Sequence, residues 1–381
     1  MVKTKQRKWW PKGLTCLIVL TVAFGYLGVK MGAANMMNTL MHTAHDLLLN
    51  TVFYLMAICV LTGALGKILL EFGVVSLLEK LLRPLMRPLF NLPGRAAVGA
   101  IMTFLSDNPA IITLAKDKRY GSHFSKYQFI SLTNFGTAFG MGMLVIVFML
   151  AQGFTYEPVV GFFGACFGCI VSTRLMQHFV LKRYPGYKSE QAYPEYTPAD
   201  AIADDASKKR GFLRVLDALL DGGKSGVEIG LAIIPGVLVI STAVMILTFG
   251  PSESGAFTGA AYEGTALLPA VIGKVNFVFD WLFGFSDPHV MAFPITSLGA
   301  VGAALSLVPN FVAQGWMDGN AIAVCTAIGM CWSGYLSTHT AMLDTLGFRE
   351  LTGKAILSHT IGGVCAGMVA HWAYVLIEII I

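Results

Sequence analysis

The chain has 381 residues, 55% of them hydrophobic and only 13% charged, with 27 Lys and Arg against 22 Asp and Glu. Soluble domains run near a quarter charged, and windows of roughly 20 apolar residues, the span of a bilayer core, recur along the length, which excludes a soluble globular fold. The net charge of +5 therefore reads as loop charge that orients a membrane protein, not as a nucleic-acid footprint.

Taken in order, five basic residues between 3 and 12 and Trp9-Trp10 precede a first span over 14–29. More spans follow it, which favours an uncleaved helix over a signal peptide. Residues 36–50, with His42, His45 and Asp46, carry a partial apolar face and predict an interfacial helix. A second span covers 51–72, with Gly63 and Gly66 for close packing. Residues 74–90 alternate Leu77, Leu78, Leu81, Leu82, Leu85 and Leu89 with Glu79, Lys80, Arg83 and Arg87, the pattern of a helix lying along the membrane surface.

The apolar run 96–115 is interrupted at its centre by Ser106-Asp107-Asn108-Pro109. A charge at the bilayer midplane is costly, and proline removes a donor and disfavours helix at the residue before it. Two half-helices meeting at a polar pocket are predicted, the arrangement in which transporters hold solute and coupling ion. A basic loop (116–126) returns the chain to a span over 127–152 that opens with Ser131, Thr133, Asn134 and Thr137. Another span covers 158–181, and the hydrophilic residues 182–211 read as a mobile linker.

A similar order then begins again. Residues 212–224 form a short amphipathic segment, and 226–249 a span kinked at Pro235-Gly236. An apolar stretch 267–283 leads through Asp287-Pro288, where Asp287 reads as a helix N-cap, into 290–308, broken at Pro294-Ile-Thr296-Ser297. A span over 319–343 ends in Ser333, Ser337, Thr338, His339 and Thr340, and 355–379 is the last. The chain thus divides into 1–35, a first repeat to 181, the linker, and a second repeat over 212–381.

If both broken segments are hairpins that return to the side they entered from, 25 of the 27 Lys and Arg fall on one side, leaving Lys30 and Lys274 opposite. The positive-inside rule then places the N-terminus in the cytoplasm. The two repeats run in opposite senses across the bilayer. The fold class expected is an all-α polytopic membrane protein: an inverted-topology repeat with two broken re-entrant helical hairpins and amphipathic interfacial helices.

Gly63-x-x-Gly66, Leu78-x-x-Leu81-Leu82-Arg83-Pro84-Leu85-x-x-x-Leu89-Phe90-x-x-Pro93 and the break at Asn108-Pro109 resemble the Gate, or nucleoside-recognition, domain. Gly230-Leu-Ala-Ile-Ile-Pro235 through Phe283 to Gly302 resembles a second copy. This family includes spore maturation proteins A and B, the membrane core of the ferrous-iron transporter B, and concentrative nucleoside transporters. The resemblance implies a prokaryotic inner-membrane protein and favours nucleoside-like cargo. No G-x-x-x-x-G-K-[ST] accompanies it, so no nucleotide-driven step is expected.

Candidate solute- or ion-binding residues are Ser106, Asp107 and Asn108 at the first break, Thr133, Asn134 and Thr137 on the next span, Thr296 and Ser297 at the second break, and Ser337 and His339. Ionised, Asp107 only accepts hydrogen bonds, which suits Na⁺, a cationic group or sugar hydroxyls; without a cation it would take up a proton and carry it. Interhelical hydrogen bonding explains Thr133, Asn134 and Thr137 equally well, and His359 and His371 read as packing residues. The seven cysteines all lie in apolar segments; Cys166-Phe-Gly-Cys169 has no second pair, so neither a disulfide framework nor a metal site is predicted. With no catalytic constellation, no enzyme activity and no cofactor beyond Na⁺ or H⁺ as coupling ion is expected. Two functions remain open: a secondary transporter of a small polar solute, and a non-transporting membrane scaffold. A homo-oligomer or a partner membrane protein is compatible with either.

Overall fold

A computed structural model describes residues 10–194 and 211–380, and among them the ordered structure is helical. Among the described residues, seven helical segments, two of them interrupted, are long and apolar enough to cross a membrane, which makes the chain an integral membrane protein. The first, α1 (Trp10–Met31), exposes Leu14, Leu17, Ile18 and Val22 to lipid. The predicted interfacial helix and second span are one rod. Helix α2 (Ala33–Asp46) passes through a π-helical stretch, Leu47–Val52, into α3 (Phe53–Glu71) without leaving helix. No proline or glycine stands between Asp46 and Leu55 to stop it, and 39 residues reach about 58 Å.

The surface helix is as expected: α4 (Val74–Leu85) turns its Leu77, Leu81 and Leu85 outward and buries Glu79 between Arg83 (2.8 Å) and Arg95 (3.5 Å). The next elements, α5 (Ala96–Leu105) and α6 (Pro109–Lys116), form a true hairpin. Twelve residues apart in sequence, Gly99 and Ile111 nevertheless touch: a Cβ on Gly99 would lie 2.5 Å from Ile111 Cδ1 and 2.7 Å from the Tyr120 hydroxyl. After α7 (Lys118–Gly121) the predicted span 127–152 is not continuous. It breaks into α8 (Lys126–Thr137) and α9 (Gly142–Ala151) around Met141, whose φ of 56° is left-handed. Helix α10 (Glu157–Arg183) follows.

The linker begins later than its composition suggests. Tyr193 stacks edge-on against Phe129 and donates to Ala115 O (3.2 Å), and Glu190 pairs with Lys126 (2.7 Å), so the chain is tied down through residue 194. The remainder of that segment, 195–210, lies outside the described residues.

In the second half, the short amphipathic segment and the span again merge. Helix α11 (Phe212–Pro235) continues through a π-helical stretch, Gly236–Ser241, into α12 (Thr242–Thr248). It crosses α3 antiparallel, backbone on backbone: a Cβ on Gly63 would meet Gly222 O at 2.6 Å, while Gly226 sits against Cys59 and Val60 and Gly230 against Met56. Small residues four apart permit this approach. Helices α13 (Leu267–Gly273) and α14 (Asn276–Phe283) lead to the second hairpin. Asp287 is an N-cap, its carboxylate accepting from His289 N at 2.8 Å. The hairpin consists of α15 (Ala292–Ser297), then α16 (Val301–Leu305) and α17 (Val308–Ala313). Its break falls at 298–300, not at Pro294–Ser297 as predicted, because Pro294 is accommodated within the first turn of α15, where its missing N–H costs nothing. The predicted span 319–343 is also broken, into α18 (Gly319–Trp332) and α19 (Tyr335–Thr345), at Ser333-Gly334. Helix α20 (Thr352–Ile380) closes the chain and packs along α10 and α18, with Gly168 facing Gly362.

Each half therefore contributes a long rod, a hairpin and a broken span, with the halves opposed in direction. Arg214–Glu71 and Lys126–Glu190 lie at one end, and the hydrogen bonds Tyr262–Asp46 and Tyr156–Glu378 at the other. At the second end the loop 250–266 folds around Glu263, which is only 4% exposed and accepts from Thr258 N, Thr258 Oγ1 and Gly259 N. Burial alone would push this carboxyl up, but the Thr258 hydroxyl and the N–H groups of Gly259, Thr258 and Ala260 outweigh it and hold it below the usual range. A depressed folded-state value means stabilisation that is present above the ordinary carboxyl range near 4.5 and is lost as pH falls through the folded value. Glu263→Gln is expected to lower stability at pH 7 by roughly 1–3 kcal/mol. The gap to wild type should close in acid, as read from unfolding temperature against pH; a pH-independent gap would show that the charge is not what organises the loop.

Candidate functional site

The tip of the first hairpin follows from four consecutive residues. Ser106 leaves helical geometry (φ −133°, ψ −113°) and its hydroxyl donates back to Met102 O at 2.6 Å. Asp107 Oδ1 accepts from Asn108 N at 2.6 Å, and Pro109 starts α6 where its absent N–H is no loss. The Asp107 carboxylate has no ion-pair partner among the described residues.

The other three interruptions come to the same place. Asn108 Nδ2 donates to Ser333 O at 2.6 Å, joining the first hairpin to the break in α18–α19. Ser333 Oγ donates to Gly140 O at 3.2 Å, joining that break to the one in α8–α9. Gly334 N donates to Ser297 O at 3.0 Å, bringing in the second hairpin. Two glycines are required by this convergence. A Cβ on Gly140 would overlap Asn108 Oδ1, and Gly334 holds a φ of 70° at which an added Cβ would lie 3.0 Å from Gly299 O. Asn108 is 1% exposed, and its Oδ1 is buried without a hydrogen-bond partner among the described residues.

Beside this junction lies a cavity of about 570 Å³. Ser106–Ala110, Met141, Gly299–Gly302, Ser333-Gly334, Ser337 and Thr338 form one wall. The opposite wall is a face of α11 that presents Ser225, Glu228, Ile229 and Ala232. Glu228 sits near the middle of a 37-residue helix, on the face next to the glycines that bind α3.

Of the residues singled out from sequence, Ser106, Asp107, Asn108 and Ser337 line the cavity, and the rest stand outside it. Thr133 and Thr137 donate to their own helix, at Ile130 O and Thr133 O, and Asn134 reaches Ser172, Ala355 O and Ser358 on α10 and α20. Thr296 and Ser297 donate to Ala292 O and Pro294 O and are fully enclosed. His339 is buried, with Nδ1 at Tyr335 O (3.1 Å) and its ring tilted against that of His359, the centroids 4.7 Å apart. His359 bridges Ser172 Oγ and Cys331 O, and His371 contacts Asn320 Oδ1, both packing roles. Sequence reading missed Glu228, Ser333, Gly140 and Gly299–Gly302. The available signals were the cluster Gly136, Gly140, Gly142, the pair Ser333-Gly334, and an acid within an apolar run.

Residues 52–153 match the family model described as Gate, nucleoside recognition. The matched segment holds α3, α4, the first hairpin and both halves of the broken span that follows. Over 97 residues the chain is 30% identical to an uncharacterized protein of Alkalihalophilus pseudofirmus, a match that covers 25% of this chain and spans about a fifth (21%) of the length of that relative. Among solved structures, a doubly substituted variant of CNTnw in an outward-facing state superposes with a TM-score of 0.57 at 13% identity, over 96% of this chain and 85% of that one. CNTnw in an inward-facing substrate-bound state gives 0.52 at 14% identity, over 94% and 90%. CNTnw is a concentrative nucleoside transporter, and the likeness to it is one of fold.

Proposed function

We propose that the chain is a secondary transporter that carries a small polar solute across the cytoplasmic membrane of a prokaryote, with its N-terminus in the cytoplasm. The observation that carries the reading is the meeting of four helix interruptions at one cavity. Such breaks leave backbone N–H and C=O groups without helical partners, which is tolerated at membrane depth only inside protein or beside water. A scaffold has no need of them, and opposed repeats with midplane breaks are the architecture of alternating access. Residues 212–345 read as a second Gate-like repeat on the same grounds, since rod, hairpin and broken span recur there in order. Nucleosides are the cargo class that the family match and the fold of the concentrative nucleoside transporter favour, whereas the lining of this chain's own cavity, argued below, points to a different solute. Asn108 Oδ1, lacking a donor, and Asp107 are the groups suited to Na⁺ as coupling ion, and Asp107 is the one suited to H⁺. The lipid-facing α1 and α4 leave room for a homo-oligomer or a partner membrane protein.

Ser337 is exposed on the cavity wall and offers a test that needs no knowledge of the cargo. In a chain depleted of its seven native cysteines, Ser337→Cys is expected to react with a membrane-impermeant thiol reagent from both sides, in right-side-out and in inverted vesicles. Labelling from one side alone, under every ionic condition, would remove alternating access and leave the scaffold.

A further inference from the structure

We infer that the solute is a small organic cation, an amine or a guanidinium compound, held between Asp107 and Glu228; this rests on the cavity being the solute site, as proposed above. Every side-chain donor on the cavity wall is already engaged. Ser106 donates to Met102 O, Ser225 to Asp221 O, Ser333 to Gly140 O, and Ser337 and Thr338 both to Gly334 O. The one carboxamide, Asn108, has its NH₂ on Ser333 O. What remains unsatisfied is a set of acceptors. The Asp107 carboxylate accepts one hydrogen bond, from Asn108 N, and Glu228 has no hydrogen-bond or ion-pair partner among the described residues. Asn108 Oδ1 is enclosed against Gly140 and does not face the cavity, so the two carboxylates are the acceptors a ligand meets. A ligand that completes this wall supplies donors.

Charge selects further. The lining holds two carboxylates and no Lys, Arg or His, so an anionic solute would face two like charges with no counter-ion in reach. The lining also holds no aromatic ring, so a nucleobase entering the cavity would find nothing to stack on. The ends of the half-helices do not alter the sign, because each interruption presents one C-terminal and one N-terminal end, and their partial charges oppose. An ammonium or guanidinium group offers three to five N–H donors with a positive charge and matches both requirements.

The test is thermal unfolding of the full chain in lipid nanodiscs with agmatine, 1,4-diaminobutane, uridine or NaCl as probe. Agmatine or the diamine is expected to raise the unfolding temperature, and uridine is not. Asp107→Asn and Glu228→Gln are each expected to weaken amine binding roughly tenfold or more, since one charge then lacks its partner. Stabilisation by uridine or by NaCl with none by either amine would overturn the inference, and so would amine stabilisation that survives in the double variant. The Ser337→Cys labelling separates the two ideas. Labelling from both sides without amine binding keeps the transporter and discards the cation, whereas amine binding with one-sided labelling does the reverse.

Discussion

Gly226→Ala is expected to destabilise the protein by about 3 kcal/mol, the upper end of what one inserted methyl costs in a packed interior. A Cβ there would overlap the Cys59 carbonyl and Val60 Cα, backbone atoms of a long helix that cannot rotate away as a side chain would. Relief requires α3 and α11 to separate along much of their shared length, and Gly222 and Gly230 resist that because each is in contact with α3 as well. The control lies three residues back on the same helix. A Cβ on Gly223 would sit 3.6 Å from Val60 Cγ1, an ordinary contact, so Gly223→Ala should stay within about 1 kcal/mol of wild type, on the favourable side through helix propensity. Unfolding of the two variants in detergent, followed by tryptophan fluorescence, decides the matter. Equal losses would mean that the crossing does not depend on backbone contact.

Asn108→Asp is expected to have the second large effect, and to exceed Asn108→Ala. The alanine variant removes the donor to Ser333 O and leaves a buried carbonyl unpaired, a cost of roughly 1–3 kcal/mol. The aspartate variant keeps the shape but sets a carboxylate oxygen 2.6 Å from that carbonyl, with Asp107 adjacent in sequence. Two acceptors at hydrogen-bond distance repel, and a buried charge without a partner adds several kcal/mol more unless it is protonated. Unfolding temperature at pH 5 and pH 8 separates these contributions. The loss in Asn108→Asp should shrink at the lower pH, whereas that in Asn108→Ala should not change. If both variants unfold like wild type, the bond to Ser333 does not hold the interruptions together.

The parts of this architecture that sequence reveals are those with a local chemical cause. Asp107-Asn108-Pro109 carries a charge and a proline, so the first break announces itself within four residues. The break at Met141 lies in a run of Gly, Met and Phe that hydropathy passes over, and what opens it is a neighbour, since Gly140 must admit Asn108 from 32 residues away. Ser333-Gly334 is similar: its conformation is fixed by Ser297 and Asn108, neither of them nearby in sequence. Polar residues on a span are ambiguous for the same reason. Asn134 and Asp107 look alike in a sequence window, but one finds three partners on α10 and α20 and the other faces a cavity. Glu228 was hidden by treating 212–224 and 226–249 as separate helices, which put it at a membrane boundary. In the continuous rod the same acid lies near the middle of the helix and on the cavity wall.

The three hydrogen bonds at Ser333 and Gly334 act mechanically as a pinned joint. Each of the four interruptions is fastened to the others through these two residues, so no single half-helix can tilt far without either dragging the rest or snapping a bond enclosed in protein. The contact across the cavity is of another kind: Ser225 and Glu228 on α11 have no hydrogen bond to the joint among the described residues, α11 packs on α3, and the rod is tied to the second hairpin only further along, where Ser241 donates to Ala303 O (3.0 Å) and accepts from Ser306 Oγ (2.9 Å). The rod is thus bonded to the second hairpin at Ser241 and, among the described residues, unbonded along Ser225–Ala232, where it borders the cavity. Any rearrangement that exposes the cavity to a new side is expected to tilt α11 about its bonded contact at Ser241, with the distance between Asp107 and Glu228 as the coordinate that changes most.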